Sequence, residues 1–170
     1  NHATNCVKLL LSNSNVDYVV RGEGELSFAE FIKKLQYGEK EIDVFGIIDR
    51  GKLNNASDQL SPLVQNLDDI PMPAYDLLDI EIYRNELGAS IMFTRGCPFQ
   101  CTFCASQTVH GHKVRFKSND RIMKELRCLI EKYKFKYILI EDDLFASRKE
   151  QFIDLADRII ALNALLKYYL

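Results

Sequence analysis

An α/β fold is predicted by the second half of the chain, where a strand pattern, a loop, a helix pattern, a second strand and a second helix follow in that order. That succession is the grammar of a parallel sheet. In the first half, a β-type run leads through a glycine-containing turn into an amphipathic helix. The bulk composition agrees: 47% hydrophobic and 27% charged residues describe an ordinary globular protein.

The elements follow in order. Val16–Val20 is a short strand, and Arg21-Gly22-Glu23-Gly24-Glu25 bends the chain after it. Ser27–Tyr37 places Phe28, Phe31, Ile32 and Leu35 on one helical stripe. Val44–Ile48 and the turn Asp49-Arg50-Gly51-Lys52 predict a hairpin. The stretch from Asn54 to Leu87 is aperiodic, holds Pro62, Pro71 and Pro73, and predicts an irregular linker. Ala89–Thr94 is a strand and Asn119–Tyr133 a helix, with Ser118 or Asn119 as its N-cap. In that helix Cys128 falls off the apolar face. Lys136–Glu141 is a buried strand. Ser147 is expected to cap a last helix carrying Phe152, Ile153, Leu155, Ala156, Ile159 and Ile160.

Charge and hydropathy exclude several classes. A net charge of -2 leaves no basic footprint for nucleic acid. No run of 18 apolar residues is present, so no membrane span is expected. The first residues lack the basic start and apolar core of a signal peptide, and the absence of an initiator Met is expected of a fragment or a processed chain. Five cysteines, three of them in one loop, read as metal ligands in a reducing compartment, hence the cytoplasm.

That loop is Arg95-Gly96-Cys97-Pro98-Phe99-Gln100-Cys101-Thr102-Phe103-Cys104, with spacing C-x3-C-x2-C. Soft thiolates set this close favour an iron–sulfur cluster or zinc. No fourth cysteine lies nearby, and three protein ligands with an open corner mark a catalytic rather than a closed structural site. The rival is a small non-catalytic zinc module completed by His110 or His112, although both histidines also read as surface residues of a glycine-containing loop.

The run CPFQCTFC resembles the cluster loop of the radical S-adenosylmethionine (SAM) superfamily. The resemblance implies that Cys97, Cys101 and Cys104 hold three irons of a 4Fe-4S cluster, and that the fourth iron takes the amino and carboxylate groups of SAM. It implies that one electron from an external donor cleaves SAM to a 5′-deoxyadenosyl radical, which then attacks a small-molecule substrate. Phe103 would shape the adenine pocket, and Gly96 and Pro98 the loop.

VDYVVRGEGE and the linker LDDIPMPAYDLLDIEIY resemble the cobalamin-binding-domain-containing subfamily, in which methyl transfer, rearrangement or cyclisation follows. The fold class implied is the end of a doubly wound cobalamin-type domain plus the first βα units of an incomplete (β/α) barrel. The segments are 1–40, a remnant of the cobalamin domain; 41–88, hairpin and linker; and 89–170, the opening of the barrel. A full barrel needs about 250 residues, so a fragment of a longer enzyme is expected. Most of the corrin cradle would precede residue 1, so cobalamin is implied for the intact enzyme and not expected on this chain.

Barrel active sites lie at the C-terminal ends of the strands. Glu141-Asp142-Asp143 falls there, and Asp142-Asp143-Leu144-Phe145 is similar to a D-D-x-F pattern of the subfamily, with Leu144 in place of its usual Asn. Glu141 and Asp142 are therefore expected to hold the methionyl ammonium of the cofactor or orient substrate, or else to cap the next helix or interact with its N-terminus. Arg115-Phe116-Lys117-Ser118 resembles a basic R-x-R-S segment, and reads either as charge compensation or as a solvated strand leading to a capped helix. Gly22-x-Gly24 imitates a dinucleotide fingerprint, but Ser27 replaces the third glycine and Glu23 and Glu25 would repel a pyrophosphate.

Overall fold

The computed structural model describes residues 2–39, 42–53, 59–84 and 88–162. In chain order they form α1 (His2–Asn5), α2 (Val7–Leu11), β1 (Tyr18–Val20), α3 (Glu25–Gln36), β2 (Ile47–Asp49), α4 (Ile80–Ile82), β3 (Ala89–Ile91), β4 (Thr94–Arg95), α5 (Gln107–His110), β5 (Arg115–Phe116), α6 (Asn119–Arg127), β6 (Ile138–Ile140) and α7 (Lys149–Ala161). The chain packs as two units, each made of two stretches. The first takes the residues up to Gln65 together with Gly96–Lys113, and the second takes Asn66–Arg95 together with the residues from Val114 onward. These units do not follow the consecutive segments 1–40, 41–88 and 89–170: the middle segment divides after Gln65, and the cysteine loop packs with the first unit.

In the first unit β1 and β2 pair antiparallel, with Val19 opposite Ile48 and Val20 opposite Ile47. Side chains alternate across a strand, so the two pairs face opposite ways. Val19 and Ile48 join Val7 and Leu11 of α2 in one core. Ile47, with Val20 at its edge, joins Phe31 of α3 and Val44 in another. β2 pairs with β1, and the second strand of the expected hairpin falls on residues 54–58, outside the described residues. The expected turn is real: the Asp49 carboxylate accepts from the Lys52 amide at 3.0 Å. Residues 54–58, the start of the expected linker, lie outside the described residues.

Helix α3 begins two residues earlier than the periodicity predicts, with Gly24 at its N-cap. Of its apolar stripe Phe31 is buried and Ile32 packs at the core edge, while Phe28 and Leu35 are exposed. A two-stranded sheet of three-residue strands is too narrow to cover the whole stripe.

In the second unit, residues 66–84 contain 3₁₀ turns at Leu67–Asp69 and Tyr75–Leu77 and the single turn of α4, with no strand through Pro71 or Pro73. Residues 85–87, the end of the expected linker, lie outside the described residues. Strands β3 and β6 then pair in parallel, Ala89 beside Ile138 and Ile91 beside Ile140. Helix α6 covers them with Ile122 and Leu126, and α7 adds Leu155 and Ile159 to the same core. Full burial of such a side chain contributes about 1.5–3 kcal/mol.

Ser118 caps α6, its hydroxyl accepting from the Arg121 amide at 3.1 Å. After Arg127 the helix widens into a π turn over Cys128–Lys132. The α-periodicity carried from Asn119 therefore misplaces Cys128, which packs against the core. Ser147 does not cap α7: the N-cap position is Arg148, without a side-chain cap bond. Ile153 and Ile160 of that helix are exposed. No described helix is long and apolar enough to cross a membrane.

Candidate metal centre and the loop that carries it

The cysteine loop leaves and rejoins the second unit through a short antiparallel neck, where β4 pairs with β5 by Thr94 opposite Phe116 and Arg95 opposite Arg115. Asp142, just past the end of β6, secures the neck. Its Oδ1 accepts from the backbone amides of Phe93 at 2.7 Å and Thr94 at 3.1 Å. Burial pushes its carboxyl above the usual aspartate range, opposed by those same backbone donors. Its Oδ2 is buried without a hydrogen-bond partner among the described residues. The Phe145 ring packs on Phe93 and Phe152, with centroids 6.1 and 5.2 Å away. The D-D-x-F pattern thus fastens the strand before the cysteines, and it does not cap α7.

Glu141 is exposed, accepts from the Ser90 hydroxyl at 2.9 Å, and extends the parallel ladder through its amide to Ile91. Asp142, Phe93, Phe116, Phe145, Arg148 and Phe152 line part of a small, largely apolar pocket of about 30 Å³ in the second unit. The Arg148 guanidinium stacks over the Phe116 ring, 3.8 Å from its centroid. This pocket was not apparent from the sequence, because its rings come from four separate segments.

Arg115 and Lys117 are buried, 5% and 8% exposed, which overturns the solvated-strand reading. Lys117 Nζ lies 2.5 Å from Glu125 Oε2, and Glu125 is itself only 3% exposed. The partner was hidden in the sequence because a glutamate on an amphipathic helix ordinarily reads as its wet face.

Within the loop, Gly96 has φ +93, and a Cβ there would stand 2.5 Å from the Lys113 carbonyl oxygen. Glycine is required both by the dihedral and by the close approach. Cys97 is half-buried and its amide donates to Gly111 O at 3.3 Å. Cys101 and Cys104 are exposed and joined by a turn, the Cys104 amide donating to Cys101 O at 3.1 Å. All three thiols are free. Phe103 is 90% exposed and Phe99 60%. Among the described residues no three His, Cys, Asp or Glu side chains are gathered at metal-binding distances. The donor set still suits a soft metal or cluster: three unbridged thiols in one short turn, two of them open to solvent.

His110 is not a free surface residue. Its Nδ1 lies 2.8 Å from Glu23 Oε1, and the Glu23 side chain is 1% exposed. That nitrogen is engaged, which weakens the zinc alternative on His110; His112 is exposed. The second Glu23 oxygen accepts from the Val64 amide at 3.2 Å. A buried carboxylate therefore fills the Gly22-x-Gly24 turn, and no phosphate cradle exists there. This pair was missed because its members stand 87 positions apart. Cys6 is half-buried at the N-cap of α2, and Cys128 is a core neighbour in the second unit.

No family model matches the chain. Among curated proteins it is 40% identical over 149 residues to an uncharacterized methyltransferase of Pyrococcus horikoshii, covering 85% of this chain and 32% of the relative. It is 32% identical over 164 residues to hopanoid C-3 methylase of Methylococcus capsulatus (91% of this chain, 29% of the methylase). It is 25% identical over 168 residues to the anaerobic magnesium-protoporphyrin IX monomethyl ester cyclase of Cereibacter sphaeroides (94% and 27%).

Among solved structures, the cobalamin-dependent SAM radical enzyme OxsB, with aqua-cobalamin and SAM bound, aligns with TM-score 0.74 at 19% identity, covering 98% of this chain and 24% of that one. The radical SAM methyltransferase TsrM of Kitasatospora setae, with cobalamin and a [4Fe-4S] cluster bound, aligns with TM-score 0.63 at 17% identity (88% and 30%). The chain spans about a third or less of the length of these proteins. The chain is thus similar in sequence to a methyltransferase, a hopanoid methylase and a protoporphyrin ester cyclase, and it shares the α/β fold of a segment of the cobalamin-dependent radical SAM enzymes OxsB and TsrM.

Proposed function

We propose that this chain carries the cluster loop of a cobalamin-type radical SAM enzyme. The observation that supports this reading best is the C-x3-C-x2-C turn with three free thiols, standing directly after a strand in a fold shared with such enzymes. Cys97, Cys101 and Cys104 would hold a 4Fe-4S cluster and leave one iron to the amino and carboxylate groups of SAM. Bound there, such a cluster supplies the single electron that cleaves the sulfonium bond of SAM.

The chain's own residues supply placement. Gly96 lets the loop turn against Lys113, and Asp142 holds the amides of Phe93 and Thr94 that precede it. Phe99 and Phe103, exposed on the loop, offer apolar surface to the adenosyl group. The names of the relatives favour methyl transfer or cyclisation on a small-molecule substrate, with cobalamin held by the longer enzyme and electrons from an external donor in the cytoplasm.

The test is anaerobic reconstitution with ferrous iron and sulfide. Cys97→Ala, Cys101→Ala and Cys104→Ala should each lose nearly all bound iron, while Cys6→Ala and Cys128→Ala keep it. Adding SAM should alter the electron paramagnetic resonance of the reduced wild-type cluster. Equal iron in the loop variants and the wild type would reject the assignment.

A further inference from the structure

We propose that Glu23 and His110 form a clamp that positions the cysteine loop: the RGEGE turn grips the half of the loop that follows the three thiols. The proposal rests on the assignment of that loop to cluster binding. Glu23 is 3% exposed, on a turn rather than in a core. A carboxylate that deep is costly unless donors surround it. Its partners include the Val64 amide at 3.2 Å on Oε2 and His110 Nδ1 at 2.8 Å on Oε1. One proton lies between Nδ1 and Oε1, and the bond ties the imidazole to the turn.

His110 is the last residue of α5, and Gly111 after it, at φ +73, offers its carbonyl to the Cys97 amide at 3.3 Å. The grip on His110 is therefore one residue removed from the bond that holds the first cysteine. A second tie runs from Asn5 Nδ2 to Thr108 Oγ1 at 3.3 Å.

The gripping side is itself braced. The Gly22 amide donates to Thr4 Oγ1 at 3.0 Å, and Arg21 Nε donates to the Thr4 carbonyl at 3.1 Å. Arg21 also exchanges backbone bonds with the segments beside it, its amide donating to Gly46 O and its carbonyl accepting from the Ser61 amide, each at 2.8 Å. Immediately afterwards the Gly24 carbonyl starts α3 by accepting from the Phe28 amide. The turn is thus fixed from both ends, and all of these groups lie in the first unit. Glu23 and His110 act through the loop backbone, as positioning residues.

The test uses the full chain with Glu23→Gln, His110→Ala, His110→Asn and the double variant Glu23→Ala/His110→Ala. Hydrogen exchange of the amides of residues 106–111 is read in the metal-free protein, and iron and sulfide are read after anaerobic reconstitution. His110→Ala should speed that exchange about fivefold or more, the effect of losing one hydrogen bond, and should lower bound iron about twofold or more. His110→Asn sets an amide nitrogen close to the place of Nδ1 and should restore both to within about threefold of wild type. Should the double variant fail to fold, the two His110 variants decide.

Unchanged exchange in His110→Ala would overturn the clamp. Faster exchange with undiminished iron would overturn it too, because the loop would then need no holding. Wild-type protein that takes up no iron would refute the cluster assignment, whereas the exchange difference, if present, would still uphold the grip on the loop.

Discussion

Asp142 shows how one side chain can take a structural task that its sequence context did not announce. Standing past the end of β6, it was legible as a functional carboxylate, yet its Oδ1 is committed to the amides of Phe93 and Thr94. Those donors belong to a segment 49 and 48 positions away, a distance that no local pattern reports. Burial raises its pKa above the ordinary aspartate value of 3.8. The sign follows: the folded state binds this proton more readily than the unfolded one, so the contribution of this group to stability falls as pH rises from the ordinary aspartate range through the raised folded value. An asparagine in its place would keep an oxygen for both amides and would not titrate. Asp142→Asn should therefore flatten the pH dependence of stability in that window, read from urea midpoints between about pH 4 and pH 6. A slope identical to wild type would show that Asp142 is not the titrating group.

At the scale of elements, what the sequence revealed was local and what it concealed was pairing. Ser118 was legible as a cap because capping needs only the next three residues, and the parallel β3–β6 pair followed from the alternation of strand and helix. The pairing of β2 with β1, across the whole of α3, left no local sign in the sequence. The same blindness hid Glu125, whose partner Lys117 sits just before the cap of its helix.

That ion pair makes a sharp prediction, since its side chains are only 10% and 4% exposed. Removing one partner leaves a buried charge uncompensated, so Lys117→Met or Glu125→Leu alone should destabilise the second unit by about 3–5 kcal/mol. The double variant Lys117→Met/Glu125→Leu should recover most of that loss, because two desolvation penalties vanish together. Additive single effects in urea denaturation would mean that the two residues are not coupled.

For the whole molecule, the division of the chain by contact carries the strongest consequence. Composition and periodicity see consecutive stretches, so they divide the sequence near the linker. The fold instead returns Gly96–Lys113 to the first unit. The two units should therefore respond unequally to being produced as consecutive pieces. A piece spanning residues 66–170 keeps every member of the core built on Ala89, Ile122, Leu126, Ile138 and Leu155. A piece spanning 1–88 keeps its sheet and α1, α2 and α3 but loses α5, and with it His110 and Thr108, the partners of Glu23 and Asn5. Glu23 would then be left buried and short of a partner, a loss of about 1–3 kcal/mol for a buried polar group deprived of its hydrogen bond, which is appreciable beside the total stability of a small domain. Circular dichroism and amide exchange on the separately produced pieces should show cooperative unfolding for 66–170, with fast-exchanging amides over residues 96–113. For 1–88 they should show weak protection at Val19 and Ile48, the centre of its sheet. Protection there equal to that in the full chain would mean that the first unit stands without the cysteine loop, and that the loop is a passenger on it rather than part of its structure.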